Sequence, residues 1–316
     1  MRIASFNAHR LTLASRGSSA WEDRVTAVRE ICPDILCLQE ILVSETSVRR
    51  AAWDGAAAKT VRAFAEDCGL SASVEVTAGN PHGTAMAANA HRPWFTAVLW
   101  NPDVVQAVGF RAYGAPDFWH GCTRVDFKIL GTTLAIRVVS YHGHPISPDL
   151  RVSECLRLKS IFRDVGGPVP GFCLGDANSI SAATVDDGVG GRRYYDHEPY
   201  TRQNHDDLEY QVWADTIGGA QLARRDNTAV LLRSDYMVDA AAYLGAKWEP
   251  TVGHWADGQG DPDPWGPRRI DLILATRTAA PLLTRYGVHR SPAGLRGADH
   301  LPPYVDVDPG KHPEPR

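Results

Sequence analysis

The segment 172–178, FCLGDAN, constrains the fold of this 316-residue chain more than any other. Its apolar run predicts a buried strand that stops at Gly175, and Asp176 and Asn178 follow, two residues apart. Because neighbouring residues of an extended chain point in opposite directions, these two polar side chains share one direction. The pattern indicates a functional site at the end of a buried strand, although Gly, Asp and Asn are equally typical of a plain turn.

The composition is that of an ordinary globular protein. Hydrophobic residues make up 44% of the chain and charged residues 22%, and a chain of this length can bury a sizeable core. The formal net charge of −4 gives no overall attraction to nucleic acid or to an anionic membrane, which leaves only a local basic patch. No apolar run approaches the roughly 18 residues of a membrane-spanning helix, and the six cysteines lack Cys-x-x-Cys spacing. We therefore expect a reduced, cytoplasmic protein without a transmembrane segment.

Hydrophobic periodicity predicts strands alternating with helices, and no linker separates two domains. Helices are expected over 19–31, 45–68, 147–163 and 228–233. Strands are expected over 2–6, 35–38, 71–77, 95–100, 104–111, 123–129, 133–141, 172–175, 270–276 and 301–307. The inner face of the helix over 147–163 is expected to carry Val152, Cys155, Leu156 and Phe162. We expect one domain over residues 1–308, followed by a disordered tail over 309–316.

Several of the predicted strands lead into polar residues that can carry chemistry. These residues are Asn7, Glu40, His142, Asp176, Asn178, Asp271, Asp299 and His300. In sheet proteins with helical connections, ligands gather beyond one set of strand ends. Carboxylates, amides and imidazoles without cysteine suit a hard cation such as Mg²⁺ or Mn²⁺, which can polarise a phosphoryl oxygen and activate water. Each residue also has a structural alternative: Asn7 could end a strand, His142 could be an ordinary loop histidine, and Asp271 could pair with Arg269.

Six motifs together resemble those of the endonuclease/exonuclease/phosphatase family, in that family's order. They are 3–7 (IASFN), 33–40 (PDILCLQE), 141–142 (YH), 175–178 (GDAN), 269–273 (RIDLI) and 298–302 (ADHLP). The resemblance covers about residues 2 to 308. It implies an α/β fold, a four-layer α/β sandwich in which two packed mixed β-sheets are flanked by helices. It also implies a phosphoesterase that depends on a divalent metal, Mg²⁺ or Mn²⁺.

The resemblance assigns roles by position. Glu40 would be the principal metal ligand, with Asn7 and Asp299 close to the metal or the phosphate. Asp176 would activate or orient the attacking water, and Asn178 would help to position it. Three further residues would act at the phosphate: His300 faces it, Asp271 orients His300, and His142 stabilises it from the other side. Ala177 stands where the family usually has a bulky residue, and Ser140-Tyr141 stands where it commonly has Asn-Thr. Neither departure removes a residue that carries the chemistry.

The substrate is open between three classes. A small phosphorylated molecule (a sugar, nucleotide, lipid headgroup or biosynthetic intermediate) is favoured, because the chain is mildly acidic and has no run of lysine and arginine. A nuclease is the alternative, and a catalytically inactive binding module is disfavoured because every inferred site position is filled. The family encodes its substrate in stretches that match poorly here: 79–92, 110–122, 180–225 and 253–268. Within or beside them, the candidate substrate-binding residues are Arg192, Arg193, Arg268, Tyr194 and Trp255.

Overall fold

Two six-stranded sheets form the centre of the structure. The computed structural model describes residues 1–88, 91–163, 169–200, 211–213, 222–255 and 265–311. Sheet I contains, in spatial order, β15 (Leu283–Val288), β16 (Pro303–Val307), β1 (Arg2–Leu11), β2 (Ile35–Leu42), β4 (Trp94–Trp100) and β3 (Met86–Ala88). Sheet II contains β13 (Met237–Asp239), β14 (Asp271–Thr276), β8 (Gly171–Asp176), β7 (Ala135–His142), β6 (Cys122–Ile129) and β5 (Val105–Tyr113). Both sheets are mixed, because β1–β2 and β7–β8 are parallel while their other neighbours run antiparallel.

Helices cover the outer face of each sheet. On sheet I lie α1 (Ser19–Ile31) and α2 (Trp53–Cys68), with α6 (Pro292–Gly297) beside α1. On sheet II lie α3 (Pro148–Ile161) and α4 (Asp226–Leu232), and the short α5 (Ala240–Tyr243) follows the edge strand β13. Apolar side chains from both sheets, among them Val98, Val138 and Ile273, fill the space between them. The predicted four-layer α/β sandwich is confirmed.

Local sequence explains where the long helices begin and end. Ser18 caps α1, since its Oγ accepts a hydrogen bond from the backbone N–H of Trp21 at 3.3 Å. Ser147 caps α3 in the same way, accepting from the N–H of Leu150. α2 ends at Gly69, which takes a φ of 74° that glycine adopts without strain.

Two predicted elements are wrong in extent. The helix expected from residue 45 begins only at Trp53, after a 3₁₀ turn over Arg50–Ala52. Hydroxyl side chains precede this turn, and Ser44 Oγ lies 3.0 Å from Thr46 Oγ1; such groups offer local bonds that compete with a helix. The strand expected over 71–77 is reduced to isolated bridges, because the chain turns at Thr77 to pair with Asn80.

The inner face of α3 also differs from the prediction. Cys155 and Phe162 are buried as expected, but Leu156 is 54% exposed. Its place on the buried face is taken by polar residues, Arg151 and Glu154, which are 1% and 3% exposed. Both make hydrogen bonds to the chain around His144, so the helix is rotated toward these polar contacts rather than toward its most apolar stripe.

The polar stretch after β8 contributes two small hairpins to the part of the chain that is described. β9 (Thr184–Asp186) pairs with β10 (Arg192–Tyr194), and β11 (Val212–Trp213) pairs with β12 (Leu222–Ala223). Of the tail, Pro309–Lys311 forms a 3₁₀ turn and residues 312–316 lie outside the described residues, so its disorder stays a prediction. Within the described ranges, no helix has both the length and the apolar character needed to cross a membrane.

Candidate active site

Strand pairing in sheet II brings three of the predicted side chains to one edge. Asp176 ends β8, and it lies opposite both Asp271, the first residue of β14, and His142, the last residue of β7. The three residues are buried, at 2%, 1% and 4% exposed respectively. The register of the sheet alone therefore places two carboxylates and an imidazole side by side.

Irregular backbone in sheet I turns Glu40 toward Asn7. The pairing of β2 with β4 shifts register between Leu38 and Ile41. Within that shift Glu40 has a φ of 60°, in the left-handed region, and bulges of this kind re-aim side chains next to active sites. As a result, Asn7 Nδ2 donates to Glu40 Oε1 at 3.1 Å, and the backbone N–H of Arg10 donates to Glu40 Oε2 at 3.0 Å.

Asn7 connects the two sheets. Its Nδ2 also donates to Asp176 Oδ2 at 3.1 Å, and His300 Nε2 lies 3.5 Å away. The backbone N–H of His9 donates to Asn7 Oδ1 at 3.1 Å, which fixes the orientation of the amide. The buried amide nitrogen of Asn7 therefore contacts both Glu40, which belongs to sheet I, and Asp176, which belongs to sheet II. The site thus spans the gap between the sheets.

His300 is held by Asp271. The distance from His300 Nδ1 to Asp271 Oδ2 is 2.8 Å, and that from His300 Nε2 to Asp176 Oδ2 is 3.9 Å. Burial disfavours the charged ring, but the carboxylates of Asp271, Asp299 and Asp176 outweigh it and raise the pKa of His300 well above its ordinary value. The neighbouring carboxylates therefore favour the protonated form of the His300 ring.

Arg269 does not take the place of His300 as the partner of Asp271. Its guanidinium is fully buried and binds Asp196 at 2.8 Å and Asp239 at 2.7 Å. The residue two positions before Asp271 is thus satisfied by a separate ion-pair network beneath the site. This leaves the Asp271 carboxylate to His300.

The pKa of His142 is shifted in the opposite direction. Its Nε2 lies 3.5 Å from Asp176 Oδ2. Burial, together with the nearby positive charge of His300, lowers the pKa of His142 to about 3. Two imidazoles that face one carboxylate with pKa values pushed apart are typical of a catalytic site.

Asn178 folds back toward the same carboxylate. It takes a φ of 48°, its backbone N–H donates to Asp176 Oδ1 at 2.7 Å, and its Nδ2 donates to the carbonyl of Gly143 at 2.9 Å. Burial nevertheless raises the pKa of Asp176 above its ordinary value, although the charge of His300 and the hydrogen bonds from the Asn178 backbone and the Asn7 side chain oppose the rise. Hydrogen bonds through Asn7 and Asp176 therefore connect Asn178, Asp271 and His300, and His142 lies beside Asp176.

Asp299 lies on the sheet I side, next to a residue that sequence reasoning missed. His9 Nδ1 is 3.0 Å from Asp299 Oδ1. Burial opposes ionisation of Asp299, but the charge of His300 and the bond from His9 lower its pKa to about 2. The ring of Trp255 packs edge-on against His9, with centroids 5.1 Å apart. In the sequence, polar Asn7 and His9 alternate with apolar Ala8. This alternation is the signal that could have identified His9 as a site residue.

Gly175 cannot be replaced by a larger residue at this edge. It has a φ of 152°, and a Cβ built there would lie 1.7 Å from the backbone oxygen of Tyr141 on β7. A side chain would thus break the pairing that sets Asp176 beside His142. The glycine that interrupts the apolar run in the sequence is a requirement of close backbone packing.

A buried polar chain lies beneath the site and was also missed. Ser5 Oγ donates to Gln39 Oε1 at 3.2 Å, and Gln39 Nε2 donates to Ser140 Oγ at 2.9 Å. Ser140 in turn donates to the carbonyl of Leu38 at 3.1 Å. These bonds join β1 and β2 of sheet I to β7 of sheet II. The only sequence signal is a polar residue within each of three apolar runs.

The sequence and its matches identify the family. The sequence model of the Endonuclease/Exonuclease/phosphatase family matches residues 4–300, which is nearly the whole chain. The chain belongs to this family. Its members are phosphoric ester hydrolases. A comparison with curated protein sequences gave no significant match.

Solved structures with similar folds include three enzymes with different names. A mannosyl-6-phosphatase from Bacteroides thetaiotaomicron is 13% identical with a TM-score of 0.55, covering 97% of this chain and 99% of its own. TDP2 from D. rerio, solved with a single-strand DNA product, is 11% identical with a TM-score of 0.58, covering 96% and 97%. An AP endonuclease from Archaeoglobus fulgidus is 18% identical with a TM-score of 0.53, covering 98% and 99%. At these identities the likeness concerns the fold.

Enzymes of the endonuclease/exonuclease/phosphatase family generally depend on a divalent metal, and the residues of this site suit one. Burial and the neighbouring charge of Asp299 raise the pKa of Glu40, so two carboxylates repel each other where a cation would relieve the repulsion. Within the described ranges, no three or more His, Cys, Asp or Glu side chains are grouped so that they could hold a metal ion. Mg²⁺ needs no such group, because it keeps several waters and binds through one or two carboxylates.

The predicted substrate-binding residues are not brought together. Trp255 lies beside His9 at the site, whereas Arg268 is 4% exposed and donates to Tyr200 Oη at 3.3 Å. Arg192, Arg193 and Tyr194 form the exposed strand β10. Their contacts are with that hairpin and with Arg225, whose guanidinium lies 4.1 Å from the ring centroid of Tyr194.

Proposed function

We propose that this member of the family hydrolyses a phosphate mono- or diester of a small molecule, such as a sugar, nucleotide, lipid headgroup or biosynthetic intermediate. The observation that carries the proposal is the bridge from Asn7 to both Glu40 and Asp176, with the His300–Asp271 pair against the same carboxylate. A carboxylate flanked by one cationic and one neutral imidazole can accept a proton from water beside groups that stabilise a phosphate.

In this proposal each side chain has one task. Asp176 takes the proton from the attacking water, and Asn178 holds that water in place. His300, oriented and charged by Asp271, faces the phosphate and stabilises the charge that develops on it. The neutral imidazole of His142 donates a hydrogen bond to the phosphate from the other side.

Glu40, Asn7 and Asp299 would hold the metal, Mg²⁺ or Mn²⁺. When bound, the metal supplies Lewis-acid polarisation of the phosphate. The bulge at Glu40 places its carboxylate beside Asn7, and His9 Nδ1 lies 3.0 Å from Asp299 Oδ1.

The charge distribution supports a small substrate over a duplex. Arg268 and Arg269, the two adjacent arginines just before Asp271, are 4% and 0% exposed. A duplex-binding surface needs several exposed cations on neighbouring phosphates. Buried arginines committed to Tyr200, Asp196 and Asp239 do not provide them.

A nuclease is the second candidate, and one observation favours it. Trp255 packs on His9 next to the cluster, where an aromatic ring could stack on an unpaired base. The DNA-bound D. rerio TDP2 and the Archaeoglobus AP endonuclease have the same fold.

A metal-supplemented activity panel separates the candidates. It would compare sugar phosphates, nucleotides, phospholipid headgroup esters, single-stranded oligonucleotides and plasmid, with Asp176→Asn as the control for contaminating hydrolases. We expect turnover of a small phosphate ester that the Asp176→Asn protein loses. Turnover of oligonucleotide alone would reject the small-molecule proposal and select the nuclease.

A further inference from the structure

A second buried histidine stacks on His142. His120 precedes β6, and Cys122 of that strand pairs with Tyr141, so the two histidines meet at the same sheet edge. Their ring centroids are 3.9 Å apart and their planes differ by 39°. His120 is 7% exposed and His142 is 4% exposed. The motifs of the sequence did not include His120, which lies in a stretch that matches the family poorly.

The backbone around His120 is fixed on both sides. Gly121, with a φ of 84°, lies so close to Ala88 on β3 that a Cβ would come within 2.8 Å of its backbone. On the other side, the N–H of Trp119 donates to Glu154 Oε1 at 2.8 Å. The ring of His120 is thereby held against its neighbour by both sheet I and α3.

Glu154 connects this segment to the one that carries His142. Its Oε2 accepts from Tyr141 Oη at 2.7 Å and from the N–H of His144 at 2.9 Å. A single buried carboxylate on α3 therefore fixes the chain before and after His142 as well as the chain before His120. The stacked arrangement is a built feature of the fold rather than a chance contact.

The hydrogen bonds of His142 do not fix the plane of its ring. Its Nδ1 is buried and has no hydrogen-bond partner among the described residues, and its Nε2 lies 3.5 Å from the nearest carboxylate oxygen, on Asp176. His300, by contrast, is held at 2.8 Å by Asp271. An imidazole is usually oriented by a bond to its second nitrogen. For His142, the ring of His120, with centroids 3.9 Å apart, supplies a contact that can orient it instead.

Resting on the phosphate-facing role proposed above for His142, we propose that His120 is a positioning residue that acts through its ring face. Stacking holds the His142 ring in the plane that points Nε2 at Asp176 and at a substrate phosphate. The nitrogens of His120 take no part. Burial and the neighbouring imidazole lower the pKa of His120 well below its ordinary value, so two neutral rings stack without repulsion.

Substitutions of His120 distinguish a role of its ring face from a role of its ring nitrogens. His120→Phe keeps a ring face, whereas His120→Asn keeps a polar nitrogen without one. We expect His120→Ala and His120→Asn to lower kcat by about 10-fold to 100-fold, as misplacement of a catalytic group does, with KM little changed. His120→Phe should stay within a few-fold of the wild type. His197→Ala, which removes a histidine packed edge-on against Trp248, is the matched control and should leave kcat unchanged.

A double-mutant cycle and a spectrum make the outcomes decisive. In a His142→Ala background, His120→Ala should cost nothing more, because the ring it positions is gone. Rescue by Asn but not Phe, or a wild-type kcat in His120→Ala, would overturn the proposal. A wild-type kcat in His142→Ala would instead reject the proposed role of His142. Independently of activity, the ¹H–¹³C signal of the His142 ring should broaden in His120→Ala and stay sharp in His120→Phe; equal line widths in the two variants contradict the stacking.

Discussion

At the scale of single residues, the site depends on one carboxylate between two imidazoles whose pKa values are shifted in opposite directions. Asp176 lies 3.9 Å from His300 and 3.5 Å from His142. The carboxylates of Asp271, Asp299 and Asp176 raise the pKa of the first ring, while burial lowers the pKa of the second. Two histidines thus differ in their tendency to bind a proton, and the difference comes from burial and from neighbouring charges.

The role of Asp176 can be tested without changing its shape. Asp176→Asn retains the size of the side chain but cannot accept a proton, so kcat should fall by a factor on the order of 10² or more. Steady-state kinetics with the substrate found in the panel would measure it, with thermal unfolding to verify that the variant folds. Turnover equal to the wild type under chemistry-limited conditions would show that Asp176 is not the base.

The pairing of Asp271 with His300 makes a second prediction at this scale. Because Asp271 acts through the imidazole, Asp271→Asn in a His300→Ala background should cost little beyond His300→Ala alone. The kinetics of both single variants and the double variant would be compared in folded, metal-loaded protein. Additive kinetic losses would mean that something other than Asp271 orients His300.

At the scale of elements, the hairpin of β6 and β7 carries an ion-pair group that makes folding sensitive to acid. Arg124 and Arg137 both bind Asp126, with Arg137 Nε at 2.9 Å from Oδ1. Burial opposes ionisation of Asp126, but the hydrogen bonds and charges of the two arginines outweigh it and lower its pKa. A lowered folded-state pKa means that the charged carboxylate stabilises the native hairpin.

Asp126→Asn should therefore lower the free energy of unfolding by about 1 to 3 kcal/mol near neutral pH. The stabilisation is complete above the ordinary aspartate pKa of about 3.9, and it is lost as pH falls from there through the lower folded-state pKa. Urea unfolding at a series of pH values should show the difference between the two proteins shrinking below about pH 4. The exposed Asp103→Asn is the control, and a difference that stays constant down to low pH would contradict the prediction.

Elements also show what sequence can and cannot predict. The buried strands were predictable because each is a short apolar run, and the site residues at their ends because they interrupt such runs. His120 was not, because only the pairing of β6 with β7 brings its ring to His142. His9 and Gln39 were not, because their partners, Asp299 and Ser140, lie more than 100 residues away in the sequence. Gln39, for example, meets Ser140 at a sequence separation of 101. Leu156 was misplaced because hydrogen bonds of Glu154, rather than apolar area, set the face of α3.

At the scale of the whole molecule, the proposed metal connects activity to stability. EDTA should abolish turnover, and Mg²⁺ or Mn²⁺ should restore it. Since a metal that binds only the folded protein stabilises it by about 2.7 kcal/mol at roughly a hundredfold over its Kd, added Mg²⁺ should also raise the Tm. Calorimetry would measure the rise.

Glu40→Ala should remove most of this metal-dependent rise in Tm while the protein still folds. Glu75→Ala, which removes an exposed carboxylate from a loop, should keep it. Full turnover by thoroughly chelated enzyme would reject the metal-dependent mechanism for this chain.

The pairing of β1 with β16 has a consequence during synthesis. Asn7 and His300 meet across a separation of 293 residues, and the last strand of sheet I covers the edge of the first. A ribosome that adds about 5 to 20 residues per second delivers Asn7 well before His300, since 293 residues separate them. A nascent or prematurely released chain thus lacks the imidazole that faces the phosphate and leaves β1 with unpaired backbone groups. Such fragments would be inert as hydrolases and would be prone to edge-to-edge aggregation, which makes them substrates for chaperones.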